Sequence, residues 1–301
     1  MLDTADIIRR AAQAALVVPA FNVPYLPMVE PVIRALVHAD CIALVETARL
    51  EWIKFESQGL AAVMKEFHRW EAPNHVRIHL DHVPVIDEDG LEVDYLTIVQ
   101  EAIRLGYQSV MVDGSRLSLE GNIEATRQVA QLAHEAGVPC EAELGAVLGH
   151  KAGQLPPYEV LFESGLGFTD IDEAARLVEE TGCDWLSVAI GNVHGAISGA
   201  AKDRRKVEAR LNLDHLERLH QASGVPLVLH GGSGIKREYL LAAVKRGIAK
   251  VNVATEIRQA YESVLKESGS VAAARGAVYE RTSWLLRHYF GLAGTRIQLL
   301  G

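Results

Sequence analysis

The sequence predicts an α/β fold, a (β/α)8 TIM barrel with extra C-terminal helices, on three observations. Eight short apolar, β-branched runs recur along the chain. Each is followed by a longer stretch with helical periodicity. No dinucleotide-type glycine fingerprint accompanies them. Runs bounded by turn signals and separated by helices imply parallel strands joined by right-handed crossovers. Eight such units in about 255 residues match a closed barrel, and the missing fingerprint disfavours a doubly wound open sheet.

The elements read in order. The opening MLDTADIIRRAAQAAL is amphipathic and lacks the uncharged apolar core and cleavage site of a signal peptide. Strands are expected at 17–23 (VVPAFNV), 41–47 (CIALVET), 76–83 (VRIHLDHV) and 109–113 (SVMVD). The remaining four are 140–147 (CEAELGAV), 185–190 (WLSVAI), 226–230 (PLVLH) and 250–255 (KVNVAT). Between them, IEATRQVAQLAHEAG stops at Gly137, and TDIDEAARLVEETG opens on Asp and Thr signals and stops at Gly182. EYLLAAVKRG places Leu240, Leu241 and Val244 on one face and stops at Gly247. Residues 257–290 read as one or two further helices, an oligomer contact or a brace for the barrel. No linker divides the chain, so one domain is expected over 1–301, with the barrel at about 15–256 and a helical extension at about 257–301.

Composition narrows the function. The chain has 301 residues, 49% apolar and 23% charged, which is ordinary globular material able to bury a core without a disulfide or metal staple. Thirty Lys and Arg against thirty-nine Asp and Glu give a net charge of −9, which argues against general nucleic-acid binding. A small anionic substrate stays open, because local donors make an anion site. Cys41, Cys140 and Cys183 sit in apolar runs with neither zinc nor disulfide spacing, so reduced core cysteines in a cytoplasmic protein are expected. No run of 18 apolar residues suggests a membrane span.

Chemistry in such barrels sits at the C-terminal ends of the strands. The polar residues falling there are Asn22, Glu46, Thr47, Asp81, His82, Asp113, Ser115, Glu141, Glu143, Asn192, His194, Gly195, His230, Asn252 and Thr255. His82, His194 and His230 would point at one axis, and three imidazoles with an open fourth position suit a catalytic zinc or similar divalent ion. Any one of them alone would be ordinary; His38, His68, His75, His134, His215, His220 and His288 fall on predicted helices or their flanks and are read so. Asp81, adjacent to His82, either shuttles a proton to a metal-held substrate or orients a histidine. Asp113 with Glu143 reads as a second metal position or a water-positioning pair. Glu141 shares a face with Glu143, so one of those two reads as a barrel-layer polar residue. Gly231-Gly232-Ser233-Gly234 and Asn252-Val253-Ala254-Thr255 lie where this fold binds phosphate, with bare amides and hydroxyls as donors.

Taken in order, PAFNV, HLDHV, VMVDGS, EAELG, VAIGNVHG, VLHGGSG and KVNVATE resemble the class II, metal-dependent ketose-bisphosphate aldolases over roughly residues 17–260. NVATE is nearer the tagatose-bisphosphate branch than the fructose-bisphosphate branch. The resemblance implies aldol cleavage of a phosphorylated ketose to dihydroxyacetone phosphate and an aldehyde. It implies Zn2+, or another divalent ion, on His82, His194 and His230, with Asp113 and Glu143 as an alternative metal position. Asp81 would move the proton on the hydroxyl at the cleaved bond. Asn22, Gly195, Gly231, Gly232, Ser233, Asn252, Val253, Ala254 and Thr255 would hold the ketose phosphate, with a monovalent cation close by. A homodimer or homotetramer is expected. Two alternatives remain: a catalytically weak family member acting as a partner subunit, and a metal-dependent hydrolase or isomerase on the same barrel.

Four stretches depart from the family pattern. From the last glycine of EAELG, the text GAVLGHKAGQLPPYEVLFESG is longer and puts His150 and Lys151 near the place of the expected loop acid, leaving Glu159 or Glu163 as substitutes. HGAISGAAKDRRK delays its lysine to Lys202. PYLPM follows the first strand in place of the usual polar Asn segment. VETARLEWIKF replaces a small polar loop after the second. The ketose-phosphate end is thus expected intact and the aldehyde end rewritten.

Overall fold

A computed structural model describes residues 2–145, 158–192, 209–232 and 234–301. After α1 (Thr4–Gln13) the chain runs β1 (Val18–Asn22), α2 (Val29–Ala39), β2 (Ala43–Ala48), α3 (Arg49–Lys54), α4 (Leu60–Arg69) and β3 (Val76–Pro84). It continues through α5 (Tyr95–Leu105), β4 (Val110–Asp113), α6 (Leu119–Glu135), β5 (Cys140–Leu144), α7 (Tyr158–Ser164) and α8 (Ile171–Thr181). Then follow β6 (Trp185–Val188), α9 (Leu213–Ser223), β7 (Leu227–Leu229), α10 (Arg237–Val244), β8 (Ile248–Val253), α11 (Thr255–Ser268), α12 (Val271–Trp284) and α13 (Arg296–Leu300). The eight strands close in sequence order into one parallel barrel, as the repeating pattern predicts.

The helix boundaries follow local chemistry. Asp170 caps α8 by accepting from the amides of Asp172 and Glu173, and Gly182 ends it in the left-handed region. Ser118 caps α6 in the same way, and Gly137 follows its end at φ +70°. β5 stops at Leu144, three residues short of the apolar run, because Gly145 turns there at φ +97°. The extension also differs from expectation. α11 begins at Thr255 and is the eighth barrel helix, so the extra helices are α12 and α13.

Strands buried on both faces read as continuous apolar runs. Their outward side chains meet the inner faces of the helices in the main core. Their inward residues toward the strand starts, Val18, Ala20, Leu44, Trp185, Val228 and Ala249, form a second cluster with Ile7, Ile8 and Ala11 of α1 and Leu299 of α13. The amphipathic N-terminus therefore closes one end of the barrel, and its two buried isoleucines contribute about 1.5–3 kcal/mol each. Above that apolar layer the interior turns polar: Glu46, His79, Glu141, Ser187 and Lys250 are all fully buried.

One irregularity positions the chemistry. Against β4, β3 pairs Leu80 with Val110 and then Val83 with Val112, so it carries one extra residue. His82 sits in that bulge at φ +33°, a conformation uncommon for a side chain other than Gly, Asn or Asp. Simple alternation would send Asp81 and His82 to opposite faces, and the bulge brings both to the barrel axis.

The three cysteines are buried and unpaired. Among the described residues, no helix is long and apolar enough to cross a membrane.

Candidate active site

Asp81 is the best-supported carboxylate at the mouth. It is buried, and it accepts from the side-chain amides of Asn22 and Asn252, each at 2.9 Å. β1 pairs with β8 so that Ala20 lies beside Asn252, and with β2 so that Asn22 lies beside Glu46, which puts both amides next to the end of β3. Burial alone would raise the Asp81 pKa. The charges of His82, His230 and Lys250 outweigh it and hold the carboxyl below its usual range.

His82 and His230 face each other. Nε2 of His82 lies 2.7 Å from Nδ1 of His230. Nδ1 of His82 is 3.5 Å from Asp113 and 3.8 Å from Glu143, while His230 Nδ1 is 3.2 Å from Glu143. One Glu143 oxygen is buried and out of hydrogen-bond alignment with any partner. Ligand atoms of Asp81, His82 and His230 all lie within 4.8 Å of one another, as do those of His82, Asp113 and Glu143. Two converging imidazoles with an under-satisfied buried carboxylate are the donor set of a divalent transition metal, so these residues fit such an ion. His194 and Gly195 lie outside the described residues, as do Ser233, His150, Lys151 and Lys202.

Behind the imidazoles stands a charged layer. His230 Nε2 is 2.8 Å from Glu141 Oε1, and the second Glu141 oxygen accepts from Trp185 Nε1 at 2.6 Å and pairs with Lys250 Nζ at 2.9 Å. Lys250 also donates to Asn252 at 2.7 Å and lies 3.3 Å from Glu46. One buried ammonium therefore braces both the Asp81 support and the His230 support. Burial opposes ionisation of Glu141, but Lys250 and His230 keep it well below the carboxylate range. Burial and the His82 charge would lower His230, and its contacts with Glu141 and Glu143 raise it to about 9. Burial and the Lys250 charge press His79 down to about 3, so its imidazole is neutral beside Ser109, 2.8 Å away. Burial and Asp81 push Glu46 up to about 8.

The expected phosphate side has the right backbone. Gly231 adopts φ +71°, and the Gly232 amide donates to Asn252 O at 3.0 Å. A Cβ on Gly232 would come within 2.4 Å of Val251 and 2.8 Å of Asn252 O, so only glycine lets these backbones approach. α11 opens at Thr255 after Ala254, which offers no side-chain cap to the first amides.

Sequence reasoning reached Asp81, His82, His230, Asp113, Glu143, Asn22 and Asn252, and the structure gathers them at one end of the barrel. It left Glu141 ambiguous, and Glu141 turns out to hold His230. It missed His79, Lys250 and Trp185. Lys250 was legible as a lysine two residues before Asn252 on the same inward face, and His79 as the residue two before Asp81. Glu159 is ion-paired with Arg210, and Glu163 is exposed on α7.

The profile of class II fructose-bisphosphate aldolase matches residues 2–291. A fructose-bisphosphate aldolase of Streptococcus pyogenes serotype M1 is 33% identical over 286 residues, covering 93% of this chain and 87% of that protein. One from Streptococcus pneumoniae serotype 4 is 38% identical over 207 residues, 68% of this chain, and the match spans only 61% of that relative's length. The crystal structure of the YdjI aldolase from Escherichia coli K12 superposes with a TM-score of 0.76 at 29% identity, covering 98% of both chains. The motifs and the barrel are borne out together: the chain belongs to the class II fructose-bisphosphate aldolase family.

Proposed function

We propose that the protein is a metal-dependent aldolase acting on a phosphorylated ketose, breaking or forming the C–C bond between dihydroxyacetone phosphate and an aldehyde. The observation that carries this reading is the Asp81 carboxyl clamped by two amides beside the paired imidazoles of His82 and His230. His82 and His230 would hold the ion, with His194 as the third imidazole and Asp113 and Glu143 as an alternative position. Zinc or another divalent ion supplies a Lewis acid for the ketone oxygen when bound.

The chain's own residues supply the hydroxyl-proton transfer and the substrate contacts; the proton that the dihydroxyacetone phosphate carbon takes up on cleavage comes from a group other than Asp81. Asp81 accepts the proton of the hydroxyl on the carbon that becomes the aldehyde, and returns it in the condensation direction. Asn22 and Asn252 fix the carboxylate oxygens so that this proton has one destination. Glu141 keeps the His230 ring oriented, and Lys250 keeps Glu141 ionised. Gly231 and the first amides of α11 receive the phosphate, while Gly232, whose amide is held by Asn252 O, keeps the backbone close and open for it, with Gly195, Ser233, Val253, Ala254 and Thr255 around it.

The test needs no knowledge of the aldehyde. Zinc-loaded protein is mixed with dihydroxyacetone phosphate in D2O, and loss of the exchangeable carbon-bound proton is followed by NMR. Exchange is expected in the wild type and in Asp81→Ala, and none in His82→Ala. Absence of exchange in the zinc-loaded wild type overturns the aldolase reading.

A further inference from the structure

Two of the segments that depart from the family pattern, 24–28 and 45–55, form one wall of the mouth. Tyr25 and Phe55 meet edge to face with ring centroids 6.0 Å apart, and the Glu56 amide donates to Pro24 O at 3.0 Å. Tyr25 also stacks on Tyr261 of α11 at 5.0 Å. The wall thus continues from the β1 and β2 ends to the last barrel helix.

Glu46 of this wall belongs to the charged layer beneath the mouth; the next carboxyl along it is Glu51. α3 starts directly at the end of β2, where Ala48 pairs with Asp81 across the ladder. Glu51, in its first turn, is buried at 6% exposure, and Oε2 accepts from the Ala48 amide at 3.0 Å. The residue keeps a small exposed surface, and the Asn22 side-chain amide reaches its carboxyl. Burial, and then the charges of Asp81 and Glu46, keep the Glu51 proton on, while the Asn22 amide works the other way. Asn22, which donates to Asp81, therefore stands between the two carboxyls.

The neighbouring cations are engaged elsewhere. Arg49 pairs with Asp87 at 3.4 Å, Arg258 with Glu262, and Lys250 with Glu141 and Glu46. A phosphate seated against this wall would meet the Asp81 carboxylate with no free charge partner among these residues. A hydroxyl would meet a carboxyl that can both donate and accept.

We propose that Glu51 is a specificity-determining residue: its carboxyl hydrogen-bonds a hydroxyl of the fragment released as the aldehyde, selecting an uncharged polyhydroxylated aldehyde over a phosphorylated one. The inference rests on the aldolase reading. Asp81 takes the proton of the hydroxyl on the carbon that becomes the aldehyde, so a side chain beside Asp81 faces that fragment and not the ketose phosphate. A site built to hydrogen-bond a substrate hydroxyl rejects the analogue lacking it, because its buried polar group is then left unpaired.

The test compares wild type, Glu51→Gln and Glu51→Ala in zinc-loaded form. Three aldehydes are condensed with dihydroxyacetone phosphate: an unphosphorylated tetrose, glyceraldehyde 3-phosphate and propanal. Deuterium exchange of dihydroxyacetone phosphate alone is measured in parallel. The wild type is expected to favour the tetrose. In Glu51→Ala, kcat/KM for the tetrose should fall at least tenfold while propanal and the exchange rate stay within twofold. Glu51→Gln, which keeps the contact to the Ala48 amide, should retain part of the tetrose preference. A uniform loss across all aldehydes and exchange would make Glu51 a structural cap and overturn the proposal. So would an unchanged ratio of tetrose to propanal, or a wild-type preference for glyceraldehyde 3-phosphate. Absence of exchange in the wild type would instead overturn the aldolase reading itself, and this inference with it.

Discussion

The side-chain amide of Asn252 donates to Asp81 at 2.9 Å while its oxygen accepts from the Lys250 ammonium at 2.7 Å. Asn252 is thereby locked in one orientation, with its NH2 toward the carboxylate. The amide cannot flip without facing an ammonium with its own donors.

Removing either amide should therefore act on Asp81. A hydrogen bond to a charged group contributes about 1.5–3 kcal/mol, so Asn22→Ala or Asn252→Ala is expected to lower kcat about 10- to 100-fold. The sign of the pH effect is fixed. The Asp81 pKa is depressed, so the active carboxylate is lost as pH falls through it. Loss of a donor raises that pKa, and the acid limb of the kcat profile should move toward neutral pH. Profiles of both variants that overlay the wild type would show that the amides do not set the Asp81 charge.

Lys250 supports a second prediction. Its ammonium is fully buried against Glu141 and Glu46, and removing one partner of a buried pair leaves an uncompensated charge. Lys250→Met should cost about 3–5 kcal/mol in urea unfolding of the metal-free protein. Glu141→Gln in the Lys250→Met background should recover part of that loss, because it removes the orphaned charge. No recovery would mean that the Lys250 stem, and not its charge, carries the stability.

Metal affinity should depend on pH through His230. Its folded-state pKa is raised to about 9, so the metal-free protein gains stability from the bound proton below the ordinary imidazole value and loses it as pH rises through about 9. A divalent ion must displace that proton. Apparent affinity is then expected to rise at least tenfold per pH unit up to about 9, since the carboxylates around His82 hold a proton there as well, measured by chelator competition. Glu141→Gln removes a contact that raises the His230 pKa and should flatten the slope at the alkaline end. A flat profile in the wild type would remove His230 from the ligand set.

The barrel was legible because its signal is repeated eight times, and repetition survives errors at any one boundary. The mouth was legible because polar residues at strand ends break apolar runs, as Asp81, His230 and Asn252 do. The charged layer beneath it was not. Lys250 and His79 sit inside strand patterns, where a polar residue reads as a surface position until closure turns that face inward. The bulge at His82 was also hidden, since a positive φ in a histidine leaves no mark on composition. Glu51 lies in a segment that departs from the family pattern, yet only α3 shows its side chain turning back onto the Ala48 amide.

The glycine loop offers the final prediction. Gly232 is held to β8 by its amide on Asn252 O at 3.0 Å, and an added methyl would collide with Val251 at 2.4 Å and with Asn252 O at 2.8 Å. Gly232→Ala must push the end of β7 away from β8. Overpacking of this kind costs about 1–3 kcal/mol, readable as a lowered melting temperature. The same shift widens the backbone cradle assigned to the phosphate and displaces Asn252, which holds Asp81. The KM for dihydroxyacetone phosphate in deuterium exchange is therefore expected to rise about tenfold, the equivalent of about 1.4 kcal/mol in lost ground-state binding. An additional fall in condensation kcat should follow from Asn252, because exchange does not need Asp81 and condensation does. Lowered stability with an unchanged KM would place the phosphate away from Gly232 and leave the loop with only the close approach of β7 to β8.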